Sequence, residues 1–154
     1  MSLELLEAAV DALASYFKDN MTSKLATLDA EYSDFTLDQM KNWYIGQFPK
    51  ALPEYPCCVI LGEAWSPEEQ RGVNLHVANV ITIVIFVGDD NEELRFRKLC
   101  RYARATVELL QEGEGTYGYE HLLEDAIKLS DIIAAEPFIQ AVGIPITLHK
   151  LEAY

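Results

Sequence analysis

The chain has 154 residues, of which 50% are hydrophobic and 24% charged, enough apolar material for the core of one ordinary domain and too much for wholesale disorder. Its 12 Lys and Arg against 25 Asp and Glu give a formal charge of −13 at pH 7, a field that disfavours nucleic acid or an anionic membrane as a general partner. No apolar run approaches the roughly 18 residues of a membrane-spanning helix, and Met1-Ser2-Leu3-Glu4-Leu5 lacks the basic region of a signal peptide, so a soluble intracellular product is expected.

Leu6, Val10, Leu13 and Phe17 recur at three- and four-residue steps and predict a helix over 3–20. The same spacing reaches Leu25 and Leu28, while Asn20 and Thr22-Ser23 offer an earlier end. The segment 31–56 is the least regular, with Tyr32, Phe35, Trp43, Tyr44, Phe48 and Tyr55 set among polar residues and prolines. Within it Thr36 could cap a helical turn over 36–40. So many aromatic rings must pack on something, either as satellite core or as a binding surface.

Cys57 to Gly62 reads as a strand, followed by a mobile polar loop over 66–72. Val73 to Val87 is the clearest strand. Ile81, Ile83 and Ile85 share one face, and Val80, Val84 and Phe86 the other. Both faces are apolar, so the outer one needs cover from the aromatic loop, the first helix or another subunit. A second helix opens at Asp89-Asp90-Asn91-Glu92-Glu93, with Asp90 as the expected N-cap and Glu93 completing a capping box. Its apolar stripe runs from Phe96 through Leu99, Ala103 and Val107 to Leu110, and Gly113 and Gly115 end it. One or two helical turns are expected in 119–128, a strand over 129–135 and a last strand over 140–151. Pro145 in that strand cannot donate to a ladder, so it marks an edge or a bulge. The fold expected is a single mixed α/β (α+β) domain over 1–154. Two long helices would pack a largely antiparallel four-stranded sheet built around Val59, Ile83, Ile132 and Ile146, in the order α-β-β-α-β-β.

Chemistry is not visible at this level. Phosphate-binding loops and nucleophile elbows are absent from the sequence, and the Gly-rich stretch 113–118 follows a helix where a phosphate loop precedes one. Cys57, Cys58 and Cys100 read as reduced thiols, and His76, His121 and His149 are too far apart to suggest a metal site. No enzyme activity, cofactor or metal is expected. Carboxylates gather at helix starts and loops, where capping explains Asp89, Asp90, Glu92 and Glu93. One feature opposes the overall charge: Arg95, Arg97, Lys98, Arg101 and Arg104 crowd ten residues. They form either a solvated helix face with pairs such as Arg104 to Glu108, or an interface stripe. In the second case Arg97, Arg101 and Arg104 meet Glu68, Glu69, Asp89 or Asp90 of an adjacent identical subunit.

Tyr55-Pro56-Cys57-Cys58-Val59-Ile60, then Ile81-Thr82-Ile83-Val84-Ile85-Phe86-Val87 before the second helix, then Gly143-Ile144-Pro145-Ile146-Thr147-Leu148 near the end form a recognisable order. The chain resembles the tail terminator (tail-completion) proteins of long-tailed bacteriophages in size, element order and strand texture. The segment 31–55 is longer than that family leads one to expect. The resemblance implies a structural protein of the virion tail, assembled in the bacterial cytoplasm. It would form a ring, typically a hexamer, that caps the tail tube, stops its polymerisation and offers a docking face to the head. Its partners would be itself, the tail tube protein and a head or neck connector, with DNA only passing through the lumen. A connector or neck role is the alternative, as is a small-ligand module with a pocket under Trp43, Tyr44 and Trp65.

Overall fold

The computed structural model describes residues 4–46, 54–69, 74–114, 118–123, 125–134 and 137–153. Phe48, Val73 and Gly115, each named above, and residues 70–72 of the anticipated loop lie outside that set.

Helix α1 spans Glu4–Glu31, well past the break suggested by Asn20 and Thr22-Ser23. The apolar stripe continues through Met21, Leu25 and Leu28, all buried. The polar residues fit because they turn back on the helix. Asn20 Nδ2 donates to the Tyr16 carbonyl at 2.8 Å and Thr27 Oγ1 to that of Ser23 at 3.0 Å. No helical turn forms over 36–40. That stretch is extended and held from both helices: the Leu37 N–H donates to Asp29 Oδ1 at 2.9 Å, and Tyr102 Oη donates to the Asp38 carbonyl at 2.6 Å.

Strand β1, Asn42–Ile45, arises inside the aromatic segment and pairs parallel to β2, Cys57–Glu69. Strand β3, Asn74–Gly88, runs antiparallel to β2 with a bulge between Gly62 and Ala64. The loop expected from Ser66 onward is instead strand as far as Glu69, because each residue of 64–69 has a partner on β3. Pro67 is tolerated there since β1 stops opposite Ile60, leaving this half of β2 as a sheet edge. Helix α2, Glu92–Glu112, is capped by Asn91, whose Oδ1 accepts from the Leu94 N–H at 2.9 Å. Asp90 is not the cap. Its Oδ1 accepts the Phe138 N–H at 3.1 Å instead, tying the helix start to the last strand.

Strands β4, Glu120–Leu123, and β5, Lys128–Leu129, both pair antiparallel to the long β6, Ile139–Ala153. The sheet therefore has six strands, ordered β1-β2-β3-β6-β4 with β5 beside β4 along β6, and the element order is α-β-β-β-α-β-β-β. The α+β class and the two packing helices are as expected; the four-strand count is not. β4 replaces the helical turns anticipated over 119–128. The strand anticipated over 129–135 shrinks to its start because Ser130 keeps only half of its ladder pair, its N–H donating to the Ala141 carbonyl at 2.8 Å. Ser130 Oγ takes the Ala141 N–H at 3.0 Å, and the chain then folds back through the Ile133 N–H to the Ile139 carbonyl at 2.8 Å. Pro145 pairs with Thr82 of β3 and falls between the residues of β6 that meet β5 and β4. It thus sits at a local edge within an interior strand.

One face of the sheet, with Cys58, Ile60, Ile81, Ile83, Ile85, Val142, Ile144 and Ile146, packs under both helices as the main core. The opposite face carries a smaller cluster of Cys57, Val59, Phe86, Ile139 and Ala141, against which Tyr44 and Tyr55 pack. The cover required by a strand apolar on both sides thus comes, at this end, from the aromatic segment.

Candidate interaction surface

The cations of α2 have partners inside the chain. Arg95 is buried, with Nη1 donating to the Asp89 carbonyl at 2.9 Å and Nε to Gln140 Oε1 at 3.1 Å. Arg97 pairs with Glu93 one turn back at 2.9 Å, and Lys98 with Asp89 at 2.9 Å. Arg104 meets Glu31 at 3.0 Å, Glu108 at 3.2 Å and the Tyr32 hydroxyl at 2.7 Å. Arg101 is buried as well. Its guanidinium makes two hydrogen bonds to the Asp34 carboxylate, at 2.9 and 2.7 Å, and lies 4.0 Å from the centroids of both Tyr32 and Phe35. A planar, delocalised cation suits both tasks, since its edge forks onto a carboxylate while its faces stack on rings. The stripe therefore clasps the segment after α1 onto α2.

Of the acids expected to answer this stripe across a subunit boundary, Asp89 is engaged by Lys98 and Asp90 by the Phe138 N–H. Glu68 and Glu69 oppose His76 and Leu75 in the hairpin, and their side chains lie outside the described set. Arg97, Arg101 and Arg104 each already hold a carboxylate within the chain.

The Arg101 hydrogen bonds hold the Asp34 carboxyl down to about 2. A folded-state pKa below the unfolded value of ~4 stabilises the fold above pH ~4, and that contribution disappears as pH falls through about 2. Asp34→Asn should melt below the parent at neutral pH, with the gap closing between pH ~4 and ~2. A gap independent of pH in melting curves would place the stabilisation elsewhere.

The other candidate groups do not converge. Cys57 and Cys58 lie on opposite faces of β2; burial pushes the Cys57 thiol up to about 11 and that of Cys58 higher still. Both are therefore poor nucleophiles at neutral pH. Cys100 is exposed and reduced. Among the described residues no group of three or more His, Cys, Asp or Glu could hold a metal ion, and no helix is long and apolar enough to cross a membrane. Trp43 packs into the main core while Tyr44 points to the opposite cluster, so these two rings do not line one pocket. The Trp65 side chain lies outside the described set.

What the sequence pattern did not announce is an apolar margin. Leu122, Leu123, Ile127, Leu129, Ile132 and Ile133 are 37–55% exposed, and all lie in the short stretch that borders β6 on the side away from β3. The sequence placed them in helical turns over 119–128 and in a sheet strand over 129–135, so they were not expected at an exposed margin. The available signal was composition: paired apolar residues interleaved with acids. Contiguous exposure of this kind marks a contact surface more often than a solvated one. Neither a family model nor a curated protein sequence matches the chain.

Proposed function

We propose that the chain is a structural assembly protein that closes into a head-to-tail ring, acting as the cap of a phage tail tube that ends polymerisation and presents a docking face to the head. The observation that carries this reading is the apolar margin beside β4, at one open edge of a sheet whose other open edge is β1. Strand directions favour a ring. β1 runs with β2, β3 runs against β2, β6 against β3 and β4 against β6, so β1 and β4 point in opposite senses. A rotation about an axis along the strands keeps those senses, and β4 of one subunit meets β1 of the next antiparallel. That is the more favourable pairing, and repeating it closes a heterologous ring. Ile45 on β1 is exposed to receive the margin. The charge of −13 would keep DNA from adhering to the lumen.

Light scattering and electron microscopy of the purified chain, alone and with tail tubes, test the proposal. Rings are expected, formed alone or on the tube end. Leu122→Lys with Leu123→Lys should leave a folded monomer that no longer caps tubes. A chain that stays monomeric and ignores tail tubes contradicts the reading, and one that binds filled heads but not tubes is a neck connector instead.

A further inference from the structure

We propose that the trough at the start of α2 is a docking site for a segment of a different protein, one that carries lysine or arginine beside a large apolar side chain. The trough, about 840 Å³, lies between the first turns of α2, the bend after β5 and Gln140 of β6. Its floor has little left to offer a guest. Arg95 is engaged by Gln140 and the Asp89 carbonyl, Gln140 Nε2 donates to the Ser130 carbonyl at 2.8 Å, and Asn91 Oδ1 caps the helix. Two apolar side chains stand exposed at the trough, Phe96 at 51% and Ile132 at 46%. The rim is acidic, with Glu92 and Asp131 beside Glu93, of which Glu93 shares its carboxylate with Arg97. The Asn91 cap and two first-turn glutamates already answer the positive end of the helix, so the trough is not built for an anion. An exposed apolar pair beside three acidic side chains calls for a guest that is apolar at its centre and cationic at its flanks.

Charge argues that this guest is not a second copy. Among the described residues Lys24, Arg95, Arg97, Lys98, Arg101, Arg104 and Lys128 all have partners in their own chain. Among the residues whose side chains are described, Lys18 and Lys41, on separate elements, are left to offer, and each further copy brings −13. The trough shares Ile132 with the apolar margin, while its far side at Gln140 lies away from the proposed ring contact at β4. Gln140 lies seven residues along β6 from Thr147, where β4 pairs, or ~23 Å at the usual strand rise.

The probe is a labelled peptide with two lysines on each side of a Phe-Leu pair, followed by fluorescence anisotropy at ~0.1 M salt. The parent chain should bind it, and so should the Leu122→Lys, Leu123→Lys monomer, which separates this site from the ring. Phe96→Ser, and Glu92→Gln with Asp131→Asn, should each weaken binding about tenfold. Asp19→Asn with Glu54→Gln removes two exposed carboxylates elsewhere and should change it less than about twofold. A serine pair in place of Phe-Leu, or glutamates in place of the lysines, should abolish binding. The proposal is overturned if the parent does not bind, if the serine peptide binds equally, or if the distant pair weakens binding as much as the trough variants. It is overturned too if Phe96→Ser abolishes self-association, since the occupant is then a second copy.

Discussion

Gly113→Ala should destabilise the fold by about 2 kcal/mol, although the backbone there would welcome alanine. Gly113 closes α2 with φ −88° and ψ −2°, and its N–H donates to the Leu109 carbonyl at 2.9 Å. That conformation is open to any residue, and alanine in place of glycine ordinarily gains several tenths of a kcal/mol. The obstacle is the Tyr16 ring of α1, which occupies the space a methyl on Gly113 would need. The helices are drawn together here, for Lys24 of α1 pairs with Glu112 of α2. To admit the methyl, either Tyr16 leaves its half-buried place against the core or the helices separate. Overpacking of this kind costs about 1–3 kcal/mol. A double-mutant cycle in urea checks the cause. In a Tyr16→Ala background Gly113→Ala should become neutral or stabilising, giving a coupling above about 1 kcal/mol. Equal costs in both backgrounds would move the effect away from the helix crossing.

That glycine illustrates what the sequence could and could not convey. A glycine just past an apolar stripe was legible as a helix stop, but the reason for it lies in a tyrosine roughly a hundred residues earlier in the chain. Local periodicity placed α1, α2, β3 and β6, because buried faces repeat at the element's own period. It misplaced the elements whose identity depends on a distant partner. β1 exists because β2 lies beside it, β4 because β6 does, and Ser66 to Glu69 are strand because β3 pairs with them. The cap moved from Asp90 to Asn91 for the same reason, since Phe138 claims the aspartate. The arginine stripe was visible as a dense group, and the intrahelical pair of Arg104 with Glu108 was foreseeable from spacing. The pairing of Arg101 with Asp34 was not, because 67 residues separate them. The aromatic segment holds both answers: its rings cover one face of the sheet at Tyr44 and Tyr55 and sandwich a guanidinium at Tyr32 and Phe35.

Arg101→Glu should cost about 3 kcal/mol or more, the upper end of what a single surface-proximal change does. Arg101 is 8% exposed, and loss of its guanidinium removes stacking on two rings, each interaction worth about 0.5–1 kcal/mol or more when partly desolvated. It also leaves Asp34 facing a carboxylate where it had two hydrogen bonds, with Asp29 adding to the negative field around the site. The segment 32–40 then loses its main tether to α2 and keeps the Leu37 and Asp38 hydrogen bonds. Arg101→Lys retains the charge but neither the fork nor the flat stacking surface, and should cost about 1 kcal/mol. The measurement belongs in the Leu122→Lys, Leu123→Lys monomer, where assembly cannot contribute to stability. A loss there identifies Arg101 as a clasp within the chain. A monomer of unchanged stability, in a variant that no longer forms rings when the margin is intact, would instead return the arginine to the subunit boundary. The pairing with Asp34 predicts the first outcome: the cation is already forked onto a carboxylate and closed between two rings of its own chain.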